Sequence, residues 1–181
     1  MSVIGNDLLN DIVNNRGTAD AAKILGELND GVVNALKQKG EEGEAKDGMD
    51  IALCLIDLHK KELQFSGAYN PLYMIRDKQL EIFKGSRYPI GMYKIGKDKK
   101  FTNHHIKIKK GDAFYIFSDG YADQFGGSKG KKFTYKRFQD LLIEIQQHSM
   151  EKQRDILDKT FEKWKNDEEQ LDDVLVIGIR L

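Results

Sequence analysis

From Ile51 to Lys84 the chain sets four short runs in series, Ile51–Asp57, Glu62–Ala68, Leu72–Arg76 and Gln79–Lys84. They are parted only by brief breaks around His59-Lys60-Lys61, Tyr69-Asn70 and Asp77-Lys78. A parallel return needs a crossover of about a dozen residues, so breaks this short predict antiparallel hairpins. Ile51–Asp57 is continuously apolar, which suits a central strand. A longer loop holding Gly85, Pro89, Gly91 and Gly96 leads to Phe101–Lys109, and Lys110-Gly111 predicts a turn into Asp112–Phe117. The closing run Asp173–Leu181 is apolar for most of its length and predicts a buried strand.

Helical spacing flanks these runs on both sides. Leu8, Leu9, Ile12 and Val13 form one stripe that stops at Gly17. Thr18 offers an N-cap to a second stripe, Ala21, Ile24, Leu25, Leu28, Val32 and Leu36, which ends at Gly40. After the strands, Phe138, Leu141, Leu142 and Ile145 mark a third helix. Ile156, Leu157, Thr160, Phe161 and Trp164 mark a fourth, with Ser149 a candidate cap between them. Helices, an antiparallel meander, helices and a last strand predict an α+β layered domain. At 181 residues, with 40% apolar residues and only two prolines, one domain over 1–181 without an obvious linker is expected.

Lys+Arg and Asp+Glu both total 29, so there is no cationic surplus with which to bind nucleic acid. No apolar run approaches the roughly 20 residues of a membrane span, and Met1-Ser2-Val3-Ile4 lacks the basic start of a signal peptide. A single cysteine, Cys54, excludes an internal disulfide framework and reads as a small buried hydrophobe. A cytoplasmic location is expected.

Strand direction carries the functional signal. If the hairpins alternate and the last strand runs opposite to Asp112–Phe117, the acidic residues Asp47, Asp50, Asp119, Asp172 and Asp123 return to one rim of the sheet. Carboxylates crowded at one edge repel unless protonated or bridged by a cation, and hard divalent metals prefer oxygen ligands. The competing reading is local: aspartate beside a strand caps turns.

At these residues the sequence resembles the SpoIIE/RsbU branch of the metal-dependent (type-2C, PPM) Ser/Thr protein phosphatases. The matching stretches are Asp47-Gly48-Met49-Asp50-Ile51-Ala52-Leu53, Gly67-Ala68-Tyr69-Asn70-Pro71-Leu72, Tyr88-Pro89-Ile90-Gly91, Gly111-Asp112 through Phe117-Ser118-Asp119-Gly120, and Asp172-Asp173-Val174-Leu175-Val176-Ile177-Gly178. The resemblance implies an α-β-β-α sandwich of antiparallel sheets flanked by helices. Its rim would hold two Mn²⁺ or Mg²⁺ ions, whose bridging water attacks a phosphoserine or phosphothreonine. It implies metal-ligand roles for Asp119 and Asp172, with Gly120, Asn70, Asp173, Asp50 and Asp47 near the site. The family's Gly-Gly-Asp segment and its Asp-x-x-Gly-His-Gly turn do not occur here. The chain is therefore expected to be an N-terminally truncated, inactive portion of such a domain, with an edge left open for a homodimer.

By the same resemblance the substrate would be a bacterial phosphoprotein of the anti-sigma-factor antagonist class, with an upstream sensor domain in the parent protein. The rival reading is a non-catalytic protein-binding module that kept the fold, and an unrelated acidic-rim metal binder is a third. The lysines 94, 97, 99, 100, 107, 109 and 110 read as a solvated edge. His104-His105 alternates faces, which favours surface or packing roles over joint ligation. Gly126-Gly127 through Gly130 reads as a flexible loop.

Overall fold

The stripe Ala21, Ile24, Leu25, Leu28 and Val32 forms the buried face of α2 (Ala21–Ala35), each residue fully shielded from solvent in the computed structural model. The helix starts two residues later than Thr18 suggests. Asp20 is the N-cap, its carboxylate accepting the Lys23 N–H at 2.8 Å. Carboxylate and hydroxyl caps compete for the same orphan N–H groups, and here the nearer residue wins. Ahead of it, α1 (Ser2–Asn10) runs into a π-helical turn, Asp11–Asn15, which stops before Gly17 at φ +67°.

The structure describes residues 1–38, 48–91 and 100–181, and these fall into two compact units. The first comprises Met1–Leu72 and Phe83–Ile108. Its sheet has the order β1-β2-β5, formed by β1 (Ile51–Asp57), β2 (Glu62–Ala68) and β5 (His104–Lys107). All pairs are antiparallel, with Ile51 opposite Ala68 and Glu62 opposite Lys107. Ile51, Leu53 and Leu55 of β1 pack against a core built from Ile12, Ile24, Leu25, Leu28 and Val32, so the N-terminal helices cover one face of this sheet. β1 pairs only with β2 among the described residues. The central placement expected from its apolar run is corrected to an edge, where its residues are half-buried.

The second unit comprises Tyr73–Ile82 and Lys109–Leu181. Its sheet has the order β4-β3-β6-β9, formed by β3 (Leu72–Arg76), β4 (Gln79–Phe83), β6 (Ala113–Phe117) and β9 (Val176–Arg180). Asp77 and Lys78 both take positive φ, 49° and 63°, the signature of a tight hairpin turn between β3 and β4. Tyr73, Ile75, Tyr115 and Phe117 share one face of the sheet. They pack against Phe138, Leu142 and Ile145 of α4 (Tyr135–Ile145) and Leu157 and Phe161 of α5 (Met150–Lys165). Ring centroids of Tyr73–Phe117 and Phe117–Phe138 lie 4.7 and 4.9 Å apart. Ser149 caps α5 as expected, accepting the Lys152 N–H.

Two of the expected hairpins do not form. Tyr69-Asn70 joins β2 to β3, and Lys110-Gly111 leads from β5 to β6, yet in each case the two strands belong to different sheets. Instead β2 pairs with the distant β5, and β6 with β9. The last strand is a second correction: β9 is an edge, and Leu175, Ile177 and Ile179 are 56%, 42% and 41% exposed. The glycine-rich stretch is a third. It forms a small hairpin, β7 (Phe125–Gly126) with β8 (Lys131–Lys132), seated on the end of α5. Gly127 N–H donates to the Trp164 carbonyl at 2.8 Å, and a Cβ at Gly126 would overlap that same oxygen, so only glycine permits the approach.

One ion pair anchors β6. Asp112, just before the strand and 1% exposed, accepts Arg76 Nε at 2.8 Å, Arg76 Nη2 at 2.6 Å and the Lys109 N–H at 2.7 Å. Burial acts to raise its carboxyl, but the guanidinium and the N–H outweigh burial and hold it below the usual carboxylate range. Among the described residues no helix is long and apolar enough to cross a membrane.

Candidate functional site

β6 ends at Phe117, and the chain turns through Ser118 and Asp119 into the short helix α3 (Gly120–Asp123). Asp119 occupies the N-cap position, but its exposed carboxylate takes no capping hydrogen bond. A cap aspartate normally turns inward onto the first N–H groups. This one leaves them alone.

The segment leading into β9 lies against that turn. Ser118 Oγ donates to the Asp173 carbonyl at 2.7 Å and accepts the Leu175 N–H at 2.9 Å, while Ser118 N–H donates to the Leu175 carbonyl at 3.0 Å. A Cβ on Gly120 would lie 2.6 Å from the Asp173 oxygen. The turn bearing Asp119 and the turn bearing Asp172 and Asp173 are therefore in backbone contact, although 53 positions separate the two metal candidates. Asp172 Oδ1 accepts the N–H of Asp173 at 2.7 Å, a local turn bond that leaves its second oxygen uncommitted. Gln124, 1% exposed, braces the approach by donating to the Glu169 carbonyl at 2.9 Å, and Gln170 donates to the Asp172 carbonyl.

The other candidates are disposed differently. Asp123 pairs with Lys132 at 3.0 Å, which accounts for its charge locally. Asp50 and Asn70 belong to the first compact unit. Asp47 lies outside the described residues, as do Lys94, Lys97 and Lys99. His104 contacts the Lys84 carbonyl, whereas His105 and Lys107 both meet Glu62 at 2.9 and 2.8 Å. Their hydrogen bonds draw the half-buried Glu62 carboxyl down to about 2, Lys107 contributing most. This is surface pairing rather than ligation.

Among the described residues no group of three or more His, Cys, Asp or Glu side chains is placed to hold a metal ion. A hard divalent cation takes about six oxygens. Asp119 and Asp172 have the right chemistry, since both offer carboxylate oxygens and neither forms an ion pair among the described residues, but two carboxylates do not make a two-metal centre. The donor set is incomplete for that group.

Ser118 and Gln124 are the residues that sequence reasoning missed. The Ser-Asp-Gly triplet after an apolar strand was the available signal for Ser118; nothing local marks Gln124.

Comparison with known proteins follows the same outline. The family model for "Stage II sporulation protein E (SpoIIE)" matches residues 8–181. The SiaA-PP2C domain of Pseudomonas aeruginosa superposes with a TM-score of 0.87 at 26% identity, covering 99% of this chain and 68% of that one. The PP2C phosphatase domain with a fragment of the regulatory domain of SpoIIE from Bacillus subtilis gives 0.71 at 18%, over 98% of this chain and 48% of that one. A PPM Ser-Thr phosphatase of Mycobacterium smegmatis in complex with cacodylate gives 0.63 at 16%, over 99% and 81%. No curated protein matches. The mixed helix and antiparallel-sheet fold expected from the resemblance is the one these domains share.

Proposed function

Because this chain belongs to the SpoIIE family, we propose that it serves the hydrolysis of phosphoserine or phosphothreonine on a regulatory protein, as part of a single PPM-type domain spanning 1–181. Asp119 and Asp172 contribute carboxylates to a Mn²⁺ or Mg²⁺ site at the rim of the second unit's sheet. Gly120 and Asp173 shape that rim. The substrate is a phosphoprotein of the anti-sigma-factor antagonist class, and an upstream sensor domain governs the activity. The observation that carries this reading is the Ser118 clamp, which holds the Asp119 turn against the Asp172–Asp173 turn through 2.7 and 2.9 Å bonds.

With two carboxylates and no third beside them among the described residues, the 181-residue chain binds the cation weakly and turns over little or no substrate. Titration calorimetry with Mn²⁺ tests the first half: weak binding is expected in the wild type and none in Asp119→Ala or Asp172→Asn. Phosphate release from a phosphoserine protein, measured on the 181-residue chain and on any longer natural form, tests the second. Undiminished release in both variants defeats the assignment.

A second reading, a non-catalytic module that binds its partner, is favoured by the incomplete donor set among the described residues. It predicts partner binding that survives both substitutions, with no phosphate release in any form.

A further inference from the structure

Between Gln124 and Gln139 the chain carries cations and no acid: Lys129, Lys131, Lys132, Lys136 and Arg137. All are exposed, and all belong to the second unit, which also carries Asp119 and Asp172. Three of them are already occupied. Lys132 pairs with Asp123 at 3.0 Å and lies 5.9 Å from the centre of the Phe125 ring. Lys136 pairs with Asp140 at 2.7 Å, and the Arg137 guanidinium lies over the Trp164 ring at 4.4 Å. The side chains of Lys129 and Lys131 form no ion pair or hydrogen bond among the described residues.

These two lysines are mounted on a fixed base. β7 and β8 set Lys131 opposite Gly126, so no cross-strand side chain covers it, and strand alternation turns it away from Lys132. At the tip Gly127 and Gly130 take φ +66° and +54°, and the Gly130 N–H closes the turn on the Gly127 carbonyl at 3.2 Å. No heavy atom lies within 4 Å of where a Cβ on Gly130 would stand, so the tip is clear of its surroundings. Below it, Phe133 N–H donates to the Gln124 carbonyl at 2.9 Å and Thr134 N–H to the Ala122 carbonyl at 2.7 Å, tying the hairpin to α3. The Asp123 N–H in turn donates to the Asp119 carbonyl at 2.9 Å. One short helix and one short strand therefore part the two lysines from Asp119, a path of roughly 20 Å at most.

We propose that Lys129 and Lys131 select the substrate by docking an acidic segment of the phosphoprotein whose phosphorylated residue is presented to Asp119 and Asp172. This rests on the phosphatase reading given above. Charge decides the partner. Opposite charges at the rim of a contact steer encounter and fix its register. The turn that Gln124 holds through the Glu169 carbonyl carries Asp167, Glu168, Glu169, Asp172 and Asp173, so an acidic segment is repelled there and drawn to the hairpin. A nucleic-acid backbone draws on many more phosphate contacts than two uncommitted cations supply. An extended chain advances about 3.3–3.6 Å per residue, so acids within about six positions of the phosphorylated residue reach the lysines.

Fluorescence anisotropy on the 181-residue chain at low salt, with EDTA present so that no bound cation takes part, reads the docking. The probes are two labelled phosphoserine peptides, one flanked by glutamates and one by alanines. The glutamate peptide should bind about tenfold more tightly. Lys129→Glu combined with Lys131→Glu should abolish that preference, and Lys129→Gln combined with Lys131→Gln should reduce it to about threefold. Circular dichroism checks the fold of each; if the glutamate pair fails to fold, the glutamine pair decides. Equal or absent binding of the two peptides by the wild type overturns the proposal, as does a preference unchanged in a folded variant. Poly(U) RNA bound more tightly than the glutamate peptide also overturns it, since the hairpin would then be a general polyanion patch. Phosphate release is read separately: release without the preference sinks the docking alone, and the preference without release in any form sinks the activity alone.

Discussion

Replacing Gly120 by alanine gives the contact between the two aspartate turns a sign as well as a size. Gly120 is buried at the first position of α3 and its φ is not left-handed, so helix propensity alone predicts a gain of up to about 1 kcal/mol. The added Cβ, however, would stand 2.6 Å from the Asp173 oxygen, 3.1 Å from its carbonyl carbon and 3.3 Å from Val174 Cγ2. The obstacle is backbone, held by both bonds of Ser118 Oγ, and cannot swing aside as a side chain would. Overpacking of this kind costs about 1–3 kcal/mol, and loosening the Ser118 bonds adds about 1 kcal/mol each. We expect a net loss of about 2–4 kcal/mol. The sole tryptophan, Trp164, sits on α5 in the same unit and donates to the Gln124 carbonyl at 3.1 Å, so its fluorescence follows this unit's unfolding. With a urea slope near 1 kcal/mol/M for so small a unit, the midpoint should fall by about 2–4 M. Gly26→Ala is the control: no atom lies within 4 Å of its Cβ position in α2, and by circular dichroism it should stabilise by about 0.5–1 kcal/mol. A Gly120→Ala midpoint equal to or above wild type would refute the contact on which the candidate site is built.

The buried ion pair predicts acid sensitivity. Because Asp112 is held below its unfolded value, its contribution is complete above about pH 5 and is lost as pH falls through the folded value. Asp112→Ala removes the two guanidinium bonds from Arg76 and should cost about 3 kcal/mol at neutral pH. The difference from wild type should shrink in acid; a difference constant with pH would contradict the pairing. Burial pushes the Cys54 thiol up to about 12, so a thiol reagent at mildly alkaline pH should label the native protein far more slowly than the unfolded chain. Equal labelling rates would show that the strand does not shield it.

The sequence was most informative where structure is local. β1, β2 and β3 occupy the spans their apolar runs mark, and the stripes of α2, α4 and α5 face the cores their spacing requires, because helix and strand periods are properties of neighbouring residues. The family motifs were legible for the same reason, each lying within a few consecutive positions. Sheet membership was not. Tyr69, at φ 59°, sends the chain from β2 into a strand of the other sheet, and the Gly67 Cβ position only 2.3 Å from the Asn70 carbonyl shows how tightly that turn folds back. β2 then takes His104–Lys107 as its partner across some forty residues, a choice made by side-chain burial that no short break can signal. The Asp119 rim divides along the same line. Sequence placed each aspartate at a strand end, but only tertiary pairing of β6 with β9, locked by the Ser118 hydroxyl, brings their two turns into contact. The same pairing sets β9 at an edge among the described residues, which its apolar run could not signal, because such a run looks alike whether its outer neighbour is protein or water.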